Sequence, residues 1–153
     1  MSYRQPPTIN VLKILSGDNV LRILSDDIEL SNVIKQILTL ERHTAESLIG
    51  GTTSTAYRRI HEHLTAVLDR ATVILSKPEP KDVSEIIIGL TKGLILVEYQ
   101  LARGQISREL SDKLRVVLTN LQGSVRETNA IKKFERARTL LDALTVLVYK
   151  HAR

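Results

Sequence analysis

The sequence predicts an all-α protein, a single bundle-like domain of five to seven helices, and three observations carry that prediction. Apolar residues recur at three- and four-residue intervals along most of the 153 residues, and no segment alternates apolar and polar with the period of two that a half-buried strand needs. Seven Gly and four Pro are too few for a many-turned β architecture, and most of them fall between the periodic runs. A chain of this length buries roughly 68–70% of its unfolded surface in one core, so it folds without a covalent staple. The absence of Cys removes disulfides, thiolate metal sites and cysteine nucleophiles, and fits a reducing, cytoplasmic setting.

Pro6-Pro7 precede two near-copies, VLKILSGD at 11–18 and VLRILSDD at 20–27, identical at six of eight positions. A nine-residue period matches no solenoid repeat, so residues 8–27 read as short N-terminal helices. Asp26-x-x-Glu29 has the spacing of a capping box and opens a helix expected to run to Ile49, with Leu30, Val33, Ile34, Ile37, Leu38, Ala45 and Leu48 on its apolar side. Gly50-Gly51 stops it, and the capping residues Thr52-Thr53-Ser54-Thr55 start the next, whose stripe is Ile60, Leu64, Val67, Leu68, Ala71, Ile74 and Leu75.

Lys77-Pro78-Glu79-Pro80-Lys81 cannot continue a helix, so the loop at 77–81 reads as a hinge between halves. Asp82-x-x-Glu85 repeats the capping spacing before Ile86–Ala102, which is apolar nearly all round. Such a helix is expected at the centre of the bundle or in a subunit interface, and Gly89 and Gly93, one turn apart, suit close approach by another backbone. Arg103-Gly104-Gln105 ends it. The next helix is expected from Ser107 to Leu121, buried through Leu110, Leu114, Val117, Leu118 and Leu121. Gly123 and a Ser124-x-x-Glu127 box then open the last, with the seam Ala130, Phe134, Ala137, Leu141, Leu144 and Val148.

Charge narrows the function classes. Residues 1–102 hold 11 Lys and Arg against 12 Asp and Glu, whereas residues 103–153 hold 11 against 5, so the whole excess of +5 comes from the basic C-terminal helices at 103–153. Local clustering of this kind is the footprint of a polyanion partner. No basic-then-apolar leader opens the chain and no apolar run reaches about 18 residues, so neither secretion nor a membrane partner is expected.

Enzyme signatures are weak, and no cofactor or small-molecule substrate is implied. His61 and His63 lie about 200° apart on a helix and cannot share one ion, and His43 with Glu46 supplies only two ligands, so no metal site is expected. The Gly50–Thr55 segment precedes a helix N-terminus but lacks the Lys and spacing of a phosphate-binding loop, and helix stop followed by cap accounts for it. Arg58 and His63 have the R-x4-H spacing that resembles the active-site motif of the all-helical HEPN ribonucleases, in which the His does acid–base work and the Arg meets the phosphate. Residues five apart sit about 140° apart on a helix, so a shared site would need a dimer cleft. The plainer reading pairs Arg58 with Glu62 one turn on and leaves the His solvated.

On the last helix Lys132, Arg136 and Lys150 fall opposite the Phe134–Val148 seam and Lys133 and Arg138 flank it, while Arg108 and Arg115 share a side of the preceding helix. These cations are expected to form one basic surface. With one Phe, four Tyr and no Trp there is little to stack bases on, which favours tracking of a nucleic-acid backbone over sequence reading.

From Leu94 onward the chain resembles the small helical subunit of type III CRISPR effector complexes. The residues that carry the likeness are LVEYQLARGQIS, with Tyr99, Gln100, Ala102 and Arg103, and FERARTLLDALTVLVYKH, with Phe134, the Leu140–Ala143 run and Tyr149-Lys150-His151. The resemblance implies a non-catalytic subunit that self-associates in several copies along guide and target RNA, beside other subunits that cleave. It extends to Arg103 and the nearby Arg108 and Arg115. Arg126, Lys132, Lys133, Arg136 and Arg138 are added as nucleic-acid-binding candidates from charge alone. A small subunit of another CRISPR effector class, the HEPN-type ribonuclease, and a helical dimer that binds a protein partner through Ile86–Ala102 remain open alternatives.

Overall fold

The computed structural model describes residues 15–78 and 82–152. Seven helices run through them: α1 (Gly17–Ser25), α2 (Asp27–Leu38), α3 (Arg42–Ile49), α4 (Ser54–Leu75), α5 (Ser84–Ala102), α6 (Arg108–Ser124) and α7 (Ala130–His151). No strand occurs among the described residues, and one continuous apolar core joins all seven helices into the bundle that the periodicity predicts.

The near-copies at the start do not fold as two equivalent helices. Residues 11–14 lie outside the described residues. Ser16 holds the N-cap position and Gly17-Asp18 open α1, so the tail of the first copy begins the helix that contains most of the second. Asp26 then caps α2, its carboxylate accepting from Ile28 N at 2.8 Å and Glu29 N at 3.2 Å, as its spacing predicts. Glu29 turns to Arg22 instead of completing the box. The helix expected to reach Ile49 is two helices: Leu40 and Ala45 are both buried though five residues apart, a spacing that one continuous helix would not keep on one face; Leu38 is left 40% exposed, and the Thr39 hydroxyl donates to Lys35 O.

The central helix is α7 rather than α5. Every member of the expected seam is buried, together with Lys133, Leu140, Ala143 and Leu147, and α7 packs on α1, α2, α3, α4 and α6. Ala130, Ala137 and Ala143 keep its girth small enough for neighbours to approach from several sides. By contrast α5 packs on α4 and α6 and leaves Ile88, Ile95 and Tyr99 more than half exposed. Its glycines serve packing within the chain: a Cβ on Gly93 would lie 2.6 Å from Leu64 Cδ2, and one on Gly89 2.9 Å from Val67 Cγ1.

Two expected starts shift. Asp82 Oδ1 accepts from Ser84 N at 3.0 Å and Ser84 Oγ at 2.6 Å, bonds that hold its carboxyl below the ordinary range, and α5 begins at Ser84. The Ser124-x-x-Glu127 box does not form. α6 continues through Gly123, the Ser124 hydroxyl donates back to Asn120 O, and α7 starts at Ala130. Of the loop at 77–81, positions 79–81 lie outside the described residues; α4 stops at Leu75, before Pro78.

The alternating helix directions put the α3–α4 and α5–α6 loops at one end of the bundle. They are sewn together there: Thr53 N donates to Gln105 O at 2.9 Å, Ser107 N donates to Thr52 Oγ1 at 3.0 Å, and the Ser107 hydroxyl donates to Leu48 O. Gly51 and Gly104, at φ of 87° and 71°, make the two left-handed turns that let these loops meet. The opposite end holds the α6–α7 loop and a cavity of about 270 Å³ between Leu75, Val83, Val125 and Ala130.

Candidate nucleic-acid interface

The eight basic residues expected to share one surface are distributed over three environments. Four of them are engaged within the bundle. Lys133 is buried, its Nζ 2.5 Å from Glu127 and within reach of the Ser124 hydroxyl. The Arg136 side chain, 14% exposed, donates to Asp27 Oδ1 at 2.7 Å and to Leu24 O at 3.0 Å, which fastens the α1–α2 junction to α7. Arg138 bridges Asp69 on α4, at 3.1 Å, and Asp142. Arg115 joins Glu98 on α5 and Asp112. Lys133, Arg136 and Arg138 stand on α7, which neighbours pack on several sides, so a cation drawn from water there needs a counter-charge, whereas the half-exposed Arg115 on α6 meets carboxylates beside it.

Lys132 is exposed and loosely paired with Glu135 at 3.9 Å, and Arg126 is exposed at the far end of the bundle beside the cavity at Leu75 and Val83. The length of α6, about 25 Å at 1.5 Å per residue, separates Arg126 from Arg108. One basic face spanning all eight residues therefore does not form.

The third environment lies at the sewn end. Arg103 caps α5, and its guanidinium lies 5.4 Å from the centre of the half-exposed Tyr99 ring, a cation–π pair. Arg108 is exposed at the first position of α6, where the helix dipole disfavours a cation. Arg59, not one of the eight, is exposed on the second turn of α4 and shares with Arg103 the lining of a hollow of about 100 Å³. None of these three arginines forms an ion pair among the described residues. No carboxylate lines the hollow; its other walls are Thr55, Ala56, Gln100 and Gln105. Gln100 is 2% exposed, and its Oε1 is buried with no hydrogen-bond partner. The signal for this grouping was present as YQLARGQ before a capped helix, but the 44-residue separation of Arg59 and Arg103 hides their proximity until the loops are joined.

Arg58 and His63 are engaged separately. Arg58 lies 4.0 Å from Glu62, the pairing expected one turn on, while the His63 Nε2–H donates to Gly89 O at 3.1 Å and the ring packs, half-buried, between α4 and α5 instead of standing in solvent. His61 pairs with Asp142 at 3.0 Å, on a different side of α4. Among the described residues no cluster of three or more His, Asp or Glu side chains has the arrangement of a metal site, and no helix is long and apolar enough to cross a membrane.

No protein-family model, no curated protein and no solved structure matches this chain.

Proposed function

We propose that this protein is a non-catalytic subunit that binds a nucleic-acid backbone, the small helical subunit of an RNA-guided CRISPR effector complex. It contacts guide or target RNA through the sewn end of its bundle, in the cytoplasm, beside other subunits that carry cleavage. The observation that carries this reading is the contrast within the basic third. Arg115, Lys133, Arg136 and Arg138 are consumed by carboxylates of the same chain, whereas Arg103 and Arg108, with Arg59 beside them, are left without counter-charge at one end. Unneutralised guanidiniums held on helix ends are suited to backbone phosphates, each contact releasing counterions. The stretch LVEYQLARGQIS, on which the type III resemblance rests, is also the stretch that supplies Tyr99, Gln100, Arg103 and Gln105 to this end.

The test is binding of labelled single-stranded and duplex RNA by the full chain across a salt series, with product length checked afterwards. Affinity that falls steeply with salt while the RNA stays intact is the expected result. Absence of binding at low salt overturns the backbone-binding reading, and shortened RNA overturns its non-catalytic part.

A further inference from the structure

The hollow between α4 and α5 has features that a merely solvated surface does not require. Two arginines, Arg59 and Arg103, line the same space of about 100 Å³ with no carboxylate on its walls. Both side chains are exposed, so water screens their repulsion, and an anion seated between them would be attracted by both. The N-terminus of α4 opens on the same space through Thr55. Thr53 Oγ1 accepts only the Ala56 N–H of that first turn, so the Thr55 N–H keeps no partner among the described residues and the positive end of a 22-residue helix faces the hollow. Gln100 adds an observation of a different kind. It is 98% buried, it lines the hollow, and its Oε1 acceptor is unsatisfied, a state that costs free energy unless a donor arrives.

The ligand must therefore bring anionic oxygens for the arginines and helix end, and a hydrogen-bond donor for Gln100. The space equals roughly three waters at about 30 Å³ each, enough for a phosphoryl group and too small for a base or sugar to enter whole. We infer that the hollow is a seat for one phosphodiester of an RNA strand, held by Arg59, Arg103 and the α4 N-terminus, with the Gln100 side chain turning outward so that its occluded Oε1 accepts from the adjacent ribose 2′-hydroxyl. This rests on the nucleic-acid reading above and adds to it a defined subsite and a preference for RNA over DNA.

The signature of a shared seat is non-additivity. On single-stranded RNA, Arg59→Gln and Arg103→Gln are each expected to weaken binding about tenfold at low salt and to flatten the slope of log affinity against log salt by about 0.7, the value for one phosphate contact. The double variant is expected to flatten it by the same total of about 0.7 and no more, because the one phosphate is lost from the seat once either arginine is removed. A double variant that loses about 1.4 overturns the shared seat, and unchanged slopes in all three variants overturn the site while leaving the nucleic-acid reading intact.

Gln100→Leu removes the acceptor at similar volume without stranding a partner. It is expected to reduce affinity for RNA about fivefold, to the level of the same sequence as DNA or 2′-O-methyl RNA, with the salt slope kept. Retained discrimination between RNA and DNA overturns the role of Gln100. Inorganic phosphate supplies a probe independent of any strand: it is expected to raise the melting temperature of the unsubstituted protein and not that of the double arginine variant. If phosphate protects but RNA fails to bind at low salt, the seat takes a phosphoryl group from another source and the RNA assignment is overturned. If RNA binds but phosphate gives no arginine-dependent protection, the seat itself is overturned.

Discussion

Lys133 illustrates how the sign of a residue's contribution depends on what surrounds it. From the sequence it is one more cation in KKFERAR; in the fold its ammonium is taken out of water and held by a half-exposed Glu127. Removing only the acceptor strands the charge, whereas removing the amine leaves an exposed carboxylate that water satisfies. Glu127→Gln is therefore expected to destabilise the protein by about 1–3 kcal/mol, and Lys133→Met to change stability by less than about 1 kcal/mol, as read from urea midpoints. The reverse order would place the Lys133 amine in solvent. Arg136 follows the same logic. Its hydrogen bond and charge hold the Asp27 carboxyl below the ordinary 3.8, so the pair's contribution is present above that value and is lost as pH falls through the lower folded-state value. Asp27→Asn is expected to flatten the fall of melting temperature below about pH 4. For the same reason, reversing charge at Lys132, Lys133 and Arg136 together perturbs folding before it reports on any surface.

Helix α5 shows how one element's pattern is read two ways. Ile86–Ala102 has apolar residues on all sides, and with Gly89 and Gly93 it reads as a central or intersubunit helix; in the fold it is a flank, and the glycines admit Leu64 and Val67 of α4. Gly93→Leu is expected to cost about 1–3 kcal/mol by overpacking against Leu64, even after the gain in helix propensity. Gly123, inside α6 with nothing within 4 Å of the position a Cβ would take, is the contrasting case. Gly123→Ala is expected to stabilise by about 0.5–1 kcal/mol. Opposite shifts in melting temperature from two helical glycines would confirm that one is a packing residue and the other a vestige of an expected helix stop; equal shifts would contradict it.

At the scale of the whole molecule, the bundle sorts its basic residues by position. The centre and flanks pair theirs with Asp27, Asp69, Glu98, Glu127 and Asp142, which come from five separate stretches of chain. At the sewn end Arg59, Arg103 and Arg108 form no ion pair among the described residues, while Arg58 lies 4.0 Å from Glu62. The net charge of +5 is therefore unevenly available, with guanidiniums unpaired among the described residues at the sewn end and again at the exposed Arg126 of the opposite end. Tyr57 marks how firmly the sewn end is built. Its ring is fully buried in the third residue after the Thr53 cap's first turn begins, its hydroxyl donates to Leu141 O at 3.2 Å, and burial pushes its ionisation well above the ordinary value of 10. A raised value favours the neutral form in the fold, so stability is full below about pH 10 and falls as pH rises beyond it. In Tyr57→Phe, melting curves are expected to lose that alkaline limb.

Much of this architecture was legible in one dimension. The seam Ala130–Val148, the stripe Leu110–Leu121, the stop at Gly50-Gly51, the cap at Asp26 and a helix start within Thr52–Thr55 are local properties, decided by side-chain spacing and by backbone groups within a turn or two, and sequence alone determined them. That the last third is basic was equally plain. Which of its arginines remain available was not, because ion pairing is decided by residues as far apart as Asp27 and Arg136, and the partners are chosen only when helices pack. The break at Leu40, the exchange of central role between α5 and α7, and the meeting of Arg59, Gln100 and Arg103 belong to the same class. Each depends on which surfaces compete for a finite core, a quantity that exists for the folded molecule and for no segment of it.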